Sequence, residues 1–161
     1  MQVSIIYDSV FGNTEKIALA IGSAFAPQDV QIIKITAADP AQVSAADLLI
    51  VGSPTRGFKA TPAINTFLAK IPAQGLKGIK TAAFDTRIAE NDVSNKLLRF
   101  LMKTFGYAAH PIATRLQKKG GTQVSAPEGF YVEDSRGPLK NREPERATEW
   151  AKSILSSGKF F

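Results

Sequence analysis

The chain has no cysteine and a single histidine, His110, among its 161 residues. Without cysteine there is no disulfide framework, no thiolate metal site and no cysteine nucleophile, and the composition fits a reducing compartment. One histidine excludes a metal site built from several histidines and leaves one candidate for a Ser-His-Asp arrangement. We expect His110 to lie on a helix and to be structural.

Long apolar runs are also missing. No stretch approaches the ~20 apolar residues that cross a bilayer. The first residues, MQVSIIYDS, enter a strand-like run at once, without the basic start and long apolar stretch of a signal peptide. We therefore expect no transmembrane segment and a cytoplasmic location.

Acidic residues are scarce in the second half of the chain. The formal net charge is +6, and residues 96–161 hold 12 of the 20 basic residues but only 6 of the 14 acidic ones. A basic half attracts acidic proteins, nucleic acid or an anionic surface, or is simply a solvated Lys-rich surface. Nucleic-acid binding is not expected, because arginines and aromatic residues do not interleave and no reading motif is present.

Apolar runs predict five strands. They cover 3–7, 30–35, 48–52, 79–84 and 122–126, and the last resumes at 129–132 after Pro127. The third run, LLIVG, is uninterrupted, which is typical of a strand covered on both faces.

Apolar residues at helical spacing lie between these strands. They predict helices over 14–25, from Thr61–Pro62 onward, from Val93 to Phe105 with Leu97 and Leu101 on its apolar face, and from about Glu143 to Ser157, with Trp150 inward and Gly158 as the stop. Residues 106–121 fit a strand or a helix, and Pro111 with the later Gly-Gly stop favours a helix. Alternation of this kind predicts an α/β fold, with one doubly wound domain over 1–161 and a five-stranded parallel sheet carrying helices on both faces.

In such a sheet, functional sites form at the carboxyl ends of the strands, and the loop after the first strand has the most candidate site residues. Ser9, Gly12, Asn13 and Thr14 precede or begin a helix, whose free N–H groups and dipole bind phosphate. Gly12 would allow close backbone approach. The alternative is that Ser9 or Asn13 only caps the helix, and spacing alone does not decide between the two.

Other phosphate-binding motifs are absent. The chain has no G-x-x-x-x-G-K-[ST], and the first strand-to-helix turn has one glycine, so the G-x-G-x-x-G pattern is missing. Asp8 is the one acid at the end of the first strand and Gly52-Ser53 ends the third, so the acid cluster of a magnesium-dependent receiver domain is also lacking.

Two stretches, YDSVFGNTEKIA and LLIVGSPTRGFKATPAINTFL, resemble the flavodoxin family. The first is similar to its phosphate loop, T/S-x-T-G-x-T, and the second to its G-S-P-T-x-G loop beside the flavin ring. The resemblance implies the strand order 2-1-3-4-5 and FMN as the cofactor.

The resemblance assigns fourteen residues to three parts of an FMN site. The phosphate loop would be Ser9, Val10, Phe11, Gly12, Asn13 and Thr14. The first ring-side loop would be Pro54, Thr55, Arg56, Gly57 and Phe58. The second ring-side loop would begin at Asp85, Thr86 and Arg87.

Some positions depart from the family pattern. Phe11 stands where a threonine is common, and neither ring loop has a tyrosine or tryptophan. Phe58 is the one aromatic residue there, and it packs either on the flavin or on the protein.

The resemblance implies electron transfer between redox partners without a catalytic side chain. An FMN-dependent NAD(P)H:quinone-type reductase is an alternative, and a flavodoxin-fold binding module that has lost the flavin is another. Because the chain is basic and Arg56 and Arg87 fall in the ring loops, we expect a less negative second reduction potential than acidic relatives have. We also expect an acidic redox partner protein, or a small-molecule electron acceptor.

Overall fold

A parallel sheet runs through the computed structural model, which describes residues 1–157. The strands are β1 (Gln2–Tyr7), β2 (Asp29–Lys34), β3 (Leu48–Pro54), β4 (Lys80–Ile88), β5 (Thr122–Gln123) and β6 (Glu128–Val132). Their order is β2-β1-β3-β4-β5, with β6 also on β4, and every pairing is parallel. The predicted fold class and strand order are therefore confirmed.

The outer edge of the sheet is built from two short strands. The sequence predicted a strand over 122–126 that resumes at 129–132; the first piece is shorter than predicted and ends at Gln123, whereas the second is confirmed as β6. Pro127 lies between them, and a proline has no N–H to donate to a neighbouring strand. Both short strands pair with β4. β5 pairs with Lys80–Thr81 at the start of β4, and β6 pairs with the residues at its end.

β4 is longer than predicted. The expected strand ended at residue 84 and a loop began at Asp85, but the strand continues to Ile88. The extension has a partner on each side, because Asp85 pairs with Ser53 of β3 and with Gly129 of β6. Asp85, Thr86 and Arg87 are therefore held by the sheet and not by a loop.

Helices cover both faces of the sheet. They are α1 (Asn13–Ala24), α2 (Pro62–Lys70), α3 (Lys96–Phe105), α4 (Ala109–Lys118) and α5 (Glu143–Ser156), with 3-10 turns at Ile35–Ala37, Pro40–Ala45 and Glu90–Asp92. Consecutive strand residues face opposite sides, so Ile5 packs in the core beneath α1 and α5, and Ile6 in the core beneath α2 and α4. The stop predicted at Gly158 lies outside the described residues.

Several helix predictions are confirmed in detail. The Thr61 hydroxyl accepts a hydrogen bond from the Ile64 N–H at 3.4 Å, and Pro62 is the first helical residue of α2. Trp150 is buried against Phe84 and Phe130 in edge-to-face contacts. The ambiguous segment after residue 106 is helical, and His110 lies exposed on α4.

The prediction for α3 is wrong in its packing. Val93 lies before the helix, and Leu97 and Phe105, expected on a buried face, are 67% and 62% exposed. Met102 is the one buried residue of this helix. The reason is that α4, and not α3, covers the sheet here, with Ile112 and Leu116 in the core. None of the helices within 1–157 has the length and apolar character needed to cross a membrane.

Candidate functional site

The loop between β1 and α1 is fixed by its own backbone and side chains. The Asp8 N–H donates to the Gly52 carbonyl at 3.1 Å, which ties the end of β1 to β3. The Ser9 hydroxyl accepts from the N–H of Gly12 at 3.1 Å and more distantly from that of Glu15 at 3.4 Å. Gly12 has φ +91°, in the left-handed region where glycine is unstrained. Ser9 therefore helps to close the turn, but the N-cap of α1 is Gly12, and not Ser9 or Asn13 as the capping alternative proposed.

The same turn leaves a row of backbone donors free. Within residues 1–157, the N–H groups of Val10, Phe11, Asn13 and Thr14 have no protein acceptor. Asn13 and Thr14 are buried and begin α1, so their N–H groups lie at the positive end of the helix dipole. Buried backbone donors without a partner are rare in proteins. The loop is therefore both a closed turn and a set of unpaired donors suited to an anion.

The loop after β3 is a tight turn. Arg56 and Lys59 bond to each other through both backbone pairs, at 2.8 and 3.1 Å. The two central residues have positive φ, +53° at Gly57 and +67° at Phe58, as in the turns that join hairpin strands. The Thr55 N–H donates to the Thr86 carbonyl at 2.9 Å, so this turn is anchored to β4.

At the end of β4, Asp85 and Arg87 form an ion pair. Asp85 is fully buried, and its carboxylate accepts from the Arg87 Nε at 2.6 Å, from the Arg87 Nη2 at 2.7 Å and from the Ala109 N–H at 2.8 Å. Burial raises the pKa of the Asp85 carboxyl, and the hydrogen bonds and charge of Arg87 oppose that rise.

The Arg87 side chain is mostly buried, with 18% of its surface exposed. Its guanidinium lies 3.9 Å from the centre of the Tyr107 ring. Gly129 on β6 leaves room for it, because a Cβ there would come within 2.2 Å of Arg87 atoms. Arg87 was expected as a positive charge beside the flavin, but its charge is largely compensated by Asp85.

The three predicted parts meet at one cavity of about 420 Å³, within the range of ligand sites, roughly 300–1,000 Å³. Eleven of the fourteen predicted residues line it: Ser9, Val10, Phe11, Asn13, Thr14, Pro54, Thr55, Arg56, Gly57, Thr86 and Arg87. Gly12, Phe58 and Asp85 are adjacent but do not line it. The hydroxyls of Thr14 and Thr86, 2.8 Å apart, join the first part to the third.

Four lining residues were not predicted: Ile88, Val132, Ser135 and Arg136. Val132 is the last residue of β6, and Ser135 and Arg136 lie in the loop that follows it. The Asn13 side-chain amide donates to the Arg136 carbonyl at 3.2 Å, and Gly137 passes so close to Asn13 that a Cβ would lie 2.7 Å from the amide. No spacing rule links residues so far apart, although the SRGP turn composition marks the segment as a loop.

Phe11 stands at the mouth of the cavity between two arginines. The guanidinium carbons of Arg56 and Arg136 lie 5.4 and 5.7 Å from the centre of its ring. Within residues 1–157 neither arginine pairs with a carboxylate. The uncompensated positive charge at this site therefore comes from Arg56 and Arg136.

Phe58 packs on the protein. Its ring centre lies 5.7 Å from that of Phe105, at a tilted angle. It lines a second, open cavity of about 750 Å³ with Phe105, Pro111 and Arg115, and this cavity shares Gly57 with the first. Stacking of Phe58 on a flavin remains a prediction.

The chain belongs to the flavodoxin family, because a family model described as a flavodoxin domain matches residues 4–129. Oxidised flavodoxin 2 from Bacillus cereus has a TM-score of 0.77 and 21% identity, covering 96% of this chain and 98% of its own. A flavodoxin from the domain Archaea has a TM-score of 0.74 and 20% identity, covering 96% of both chains.

A longer protein is similar to this chain over part of its own length. Rubredoxin:oxygen oxidoreductase from Desulfovibrio gigas has a TM-score of 0.69 and 21% identity, covering 97% of this chain but 36% of that one. No curated protein matches. Identities this low show the shared fold and do not transfer residue roles.

FMN is the cofactor of the flavodoxin family, and the cavity fits it. FMN has a phosphate at one end and a planar ring system at the other. The free N–H groups of the first loop match the phosphate, and the cavity continues from there to the turn at Gly57 and the end of β4. Among residues 1–157, no group of three or more His, Cys, Asp or Glu side chains could hold a metal ion.

Proposed function

We propose that this FMN-binding flavodoxin-like protein carries electrons between redox partners. The observation that supports the proposal most directly is the row of free N–H groups at Val10, Phe11, Asn13 and Thr14, at a cavity that also contains both ring-side elements. Two of these donors belong to the buried residues Asn13 and Thr14, and buried N–H groups without a partner are rare, which favours a bound anion at this loop.

In this proposal the phosphate is held by the backbone. A helix N-terminus stabilises a phosphate through its N–H groups and its dipole without a cationic side chain. Phe11 removes a hydroxyl that relatives often have, but its N–H remains free. Asn13 has a further role, because its amide bonds to the Arg136 carbonyl and so fixes the 132–136 segment beside the phosphate loop.

The ring system would lie between the turn at Gly57 and the end of β4. Within the described chain, neither the N–H nor the C=O of Gly57 has a protein partner, so both are available to the polar edge of a ring. Thr55 and Thr86 hold the two elements together through the 2.9 Å backbone hydrogen bond. FMN supplies the redox chemistry when bound, and the protein supplies position and electrostatics.

The charge distribution favours an acidic redox partner protein. Arg56 and Arg136 at the cavity mouth carry uncompensated positive charge, and the second half of the chain is basic. Complementary charge raises the rate of productive encounter and suppresses wrong partners.

One observation favours an FMN-dependent reductase as the second candidate. The open cavity beside Phe58 adjoins the ring-side turn at Gly57, and Phe105 and Arg115 line it. A small-molecule electron acceptor such as a quinone would pack against the side chains that line this cavity.

The test begins with titration of the apoprotein with FMN and with riboflavin, which lacks the phosphate. We expect FMN to bind at least about 100-fold more tightly, since two or more charge-assisted hydrogen bonds of about 1.5 kcal/mol each are involved. Equal affinities would show that the row of donors does not bind phosphate.

The holoprotein then separates the two functions. An electron carrier stays oxidised with NADPH alone, and is reduced once a flavoprotein reductase is added. A quinone reductase oxidises NAD(P)H by itself when a quinone is present, and that result would replace electron transfer as the conclusion.

A further inference from the structure

The outer side of α3 is an apolar ridge, formed by Leu97, Leu98, Phe100 and Phe105. These side chains are 67%, 41%, 62% and 62% exposed. Seven large hydrophobic residues are exposed in the described chain, and four of them lie on this one ten-residue helix. Exposed apolar side chains gathered in one patch mark an interaction site, whereas single ones need no explanation.

The ridge is not a poorly packed part of the core. α3 turns Met102 inward, and α4 behind it already fills the core with Ile112 and Leu116. The helix is well terminated, because the Asn95 side chain accepts from the N–H groups of Leu97 and Leu98 at 2.9 and 3.1 Å. The cap stabilises α3, so its outward apolar side belongs to a formed helix and not to a frayed segment.

Basic side chains accompany the ridge. Lys96, Arg99 and Lys103 are three and four positions apart and share a side of the same helix away from Leu97, Leu98 and Phe105, with Phe100 at the boundary between the two sides. Lys103 pairs with Glu90 at 3.2 Å, but within residues 1–157 Lys96 and Arg99 pair with no carboxylate. Asp92, the other acid nearby, is paired with Lys140.

From these features we infer that α3 docks the protein onto the surface of an anionic lipid bilayer. A helix with Leu and Phe on one side, Lys and Arg on the other and low overall hydrophobicity is typical of helices that lie in the membrane interface. Ten residues span about 15 Å, half of the hydrocarbon thickness, so such a helix lies along the surface and does not cross it.

A second copy of the chain fits the ridge less well. A two-fold contact through the ridge would cover its apolar side chains but would leave Lys96, Arg99 and Lys103 without an anionic partner, whereas anionic headgroups surround a helix that lies in the membrane interface. A protein partner also fits less well, because contacts that dominate protein interfaces are rich in Trp, Tyr and Arg and poor in Leu. The ridge consists of two leucines and two phenylalanines.

The ridge adjoins the candidate flavin site. Phe105 contacts Phe58, and Phe58 follows Gly57, which lines the cavity. Docking through α3 therefore brings the ring-side turn next to the lipid. The inference does not rest on the proposed function, because bilayer docking requires no flavin.

The test is co-sedimentation of the full chain with vesicles of phosphatidylcholine alone and of phosphatidylcholine and phosphatidylglycerol mixed two to one. We expect binding to the anionic vesicles, and at least about tenfold weaker binding to the neutral ones, since each basic residue near an anionic surface contributes about fivefold. Phe100→Glu and Leu97→Glu should each weaken binding to the anionic vesicles at least about tenfold. Lys96→Glu should weaken it less and should reduce its salt dependence.

The matched control is Leu19→Glu, which places the same charge at a leucine of α1 that is 52% exposed. It should leave vesicle binding almost unchanged, apart from a small effect of net charge. FMN affinity and far-ultraviolet circular dichroism verify that each variant is folded. Absence of binding to anionic vesicles at low salt would overturn the inference. It would also be overturned by equal losses in Leu19→Glu and Phe100→Glu, or by a dimer in sedimentation analysis that Phe100→Glu dissociates.

Discussion

The hydroxyl oxygens of Thr14 and Thr86 lie 2.8 Å apart, although 72 residues separate them in the chain. Both residues are buried, with exposures of 1% and 5%. Thr14 belongs to the first turn of α1 and Thr86 to the end of β4, so this hydrogen bond joins the phosphate-side and ring-side parts of the cavity.

Replacing either threonine by valine should destabilise the apoprotein. Valine has the same shape, so the main effect is one buried hydroxyl left without its partner, at about 1–3 kcal/mol. The double variant Thr14→Val/Thr86→Val should cost clearly less than the sum of the two single variants, because it leaves neither hydroxyl unpaired. Urea unfolding of the four proteins measures this, and additive losses would contradict a direct interaction.

The Asp85–Arg87 pair predicts a pH-dependent loss of stability. Arg87→Met leaves Asp85 buried without its counter-charge, which should cost about 3–5 kcal/mol at neutral pH. Burial already raises the pKa of Asp85 above its ordinary value, and losing Arg87 raises that pKa further. The folded variant therefore binds its proton more tightly than the unfolded chain does. The loss of unfolding free energy in Arg87→Met, relative to the unchanged protein, should be smallest near pH 4. It should grow as the pH rises through the raised pKa of Asp85.

Urea unfolding at several pH values measures this deficit, and Asp85→Asn in the Arg87→Met background should remove most of its pH dependence. Lys140→Met is the comparison, because it removes one partner of the exposed ion pair with Asp92. It should change stability little at any pH. A deficit of Arg87→Met that is the same at all pH values would show that Asp85 does not titrate as described.

The strands and the parallel sheet could be predicted because periodicity and turn composition are local signals, whereas the strand order followed from the resemblance to the flavodoxin family. The same signals failed at α3, where an amphipathic pattern predicted a buried face and Leu97 and Phe105 are exposed. Periodicity shows that a helix has an apolar side, but it does not show what that side contacts. Here α4 competes for the same face of the sheet and occupies it.

The candidate site was predictable where it follows strand ends and not where it depends on distant contacts. Arg136 reaches the cavity because its carbonyl bonds to Asn13, more than a hundred residues away. The pairing of Arg87 with Asp85 also escaped prediction, because a strand places residues i and i+2 on one face but a loop was expected there.

The unpaired arginines at the cavity mouth predict a shift in redox potential. Arg56→Gln and Arg136→Gln should each make the second reduction potential of the bound flavin more negative, by on the order of 20–40 mV, because a nearby cation stabilises the added negative charge. Spectroelectrochemical titration measures the potentials. Higher ionic strength should reduce the shift, since both side chains are at the surface. A shift in the opposite direction would show that these arginines do not stabilise the reduced flavin.

The backbone of Phe58 allows its two contacts to be separated. Phe58 has φ +67°, a conformation that costs a side-chain-bearing residue about 1–2 kcal/mol and glycine almost nothing. Phe58→Ala and Phe58→Gly both remove the ring from Phe105, but only glycine also relieves the backbone. The glycine variant should therefore be the more stable by about 1 kcal/mol in urea unfolding of the apoprotein, and an alanine variant of equal or greater stability would contradict this.

Because the ring packs on Phe105 and does not line the flavin cavity, we expect both variants to keep the visible absorption of bound FMN unchanged. A shifted flavin spectrum in both would instead place the Phe58 ring on the flavin.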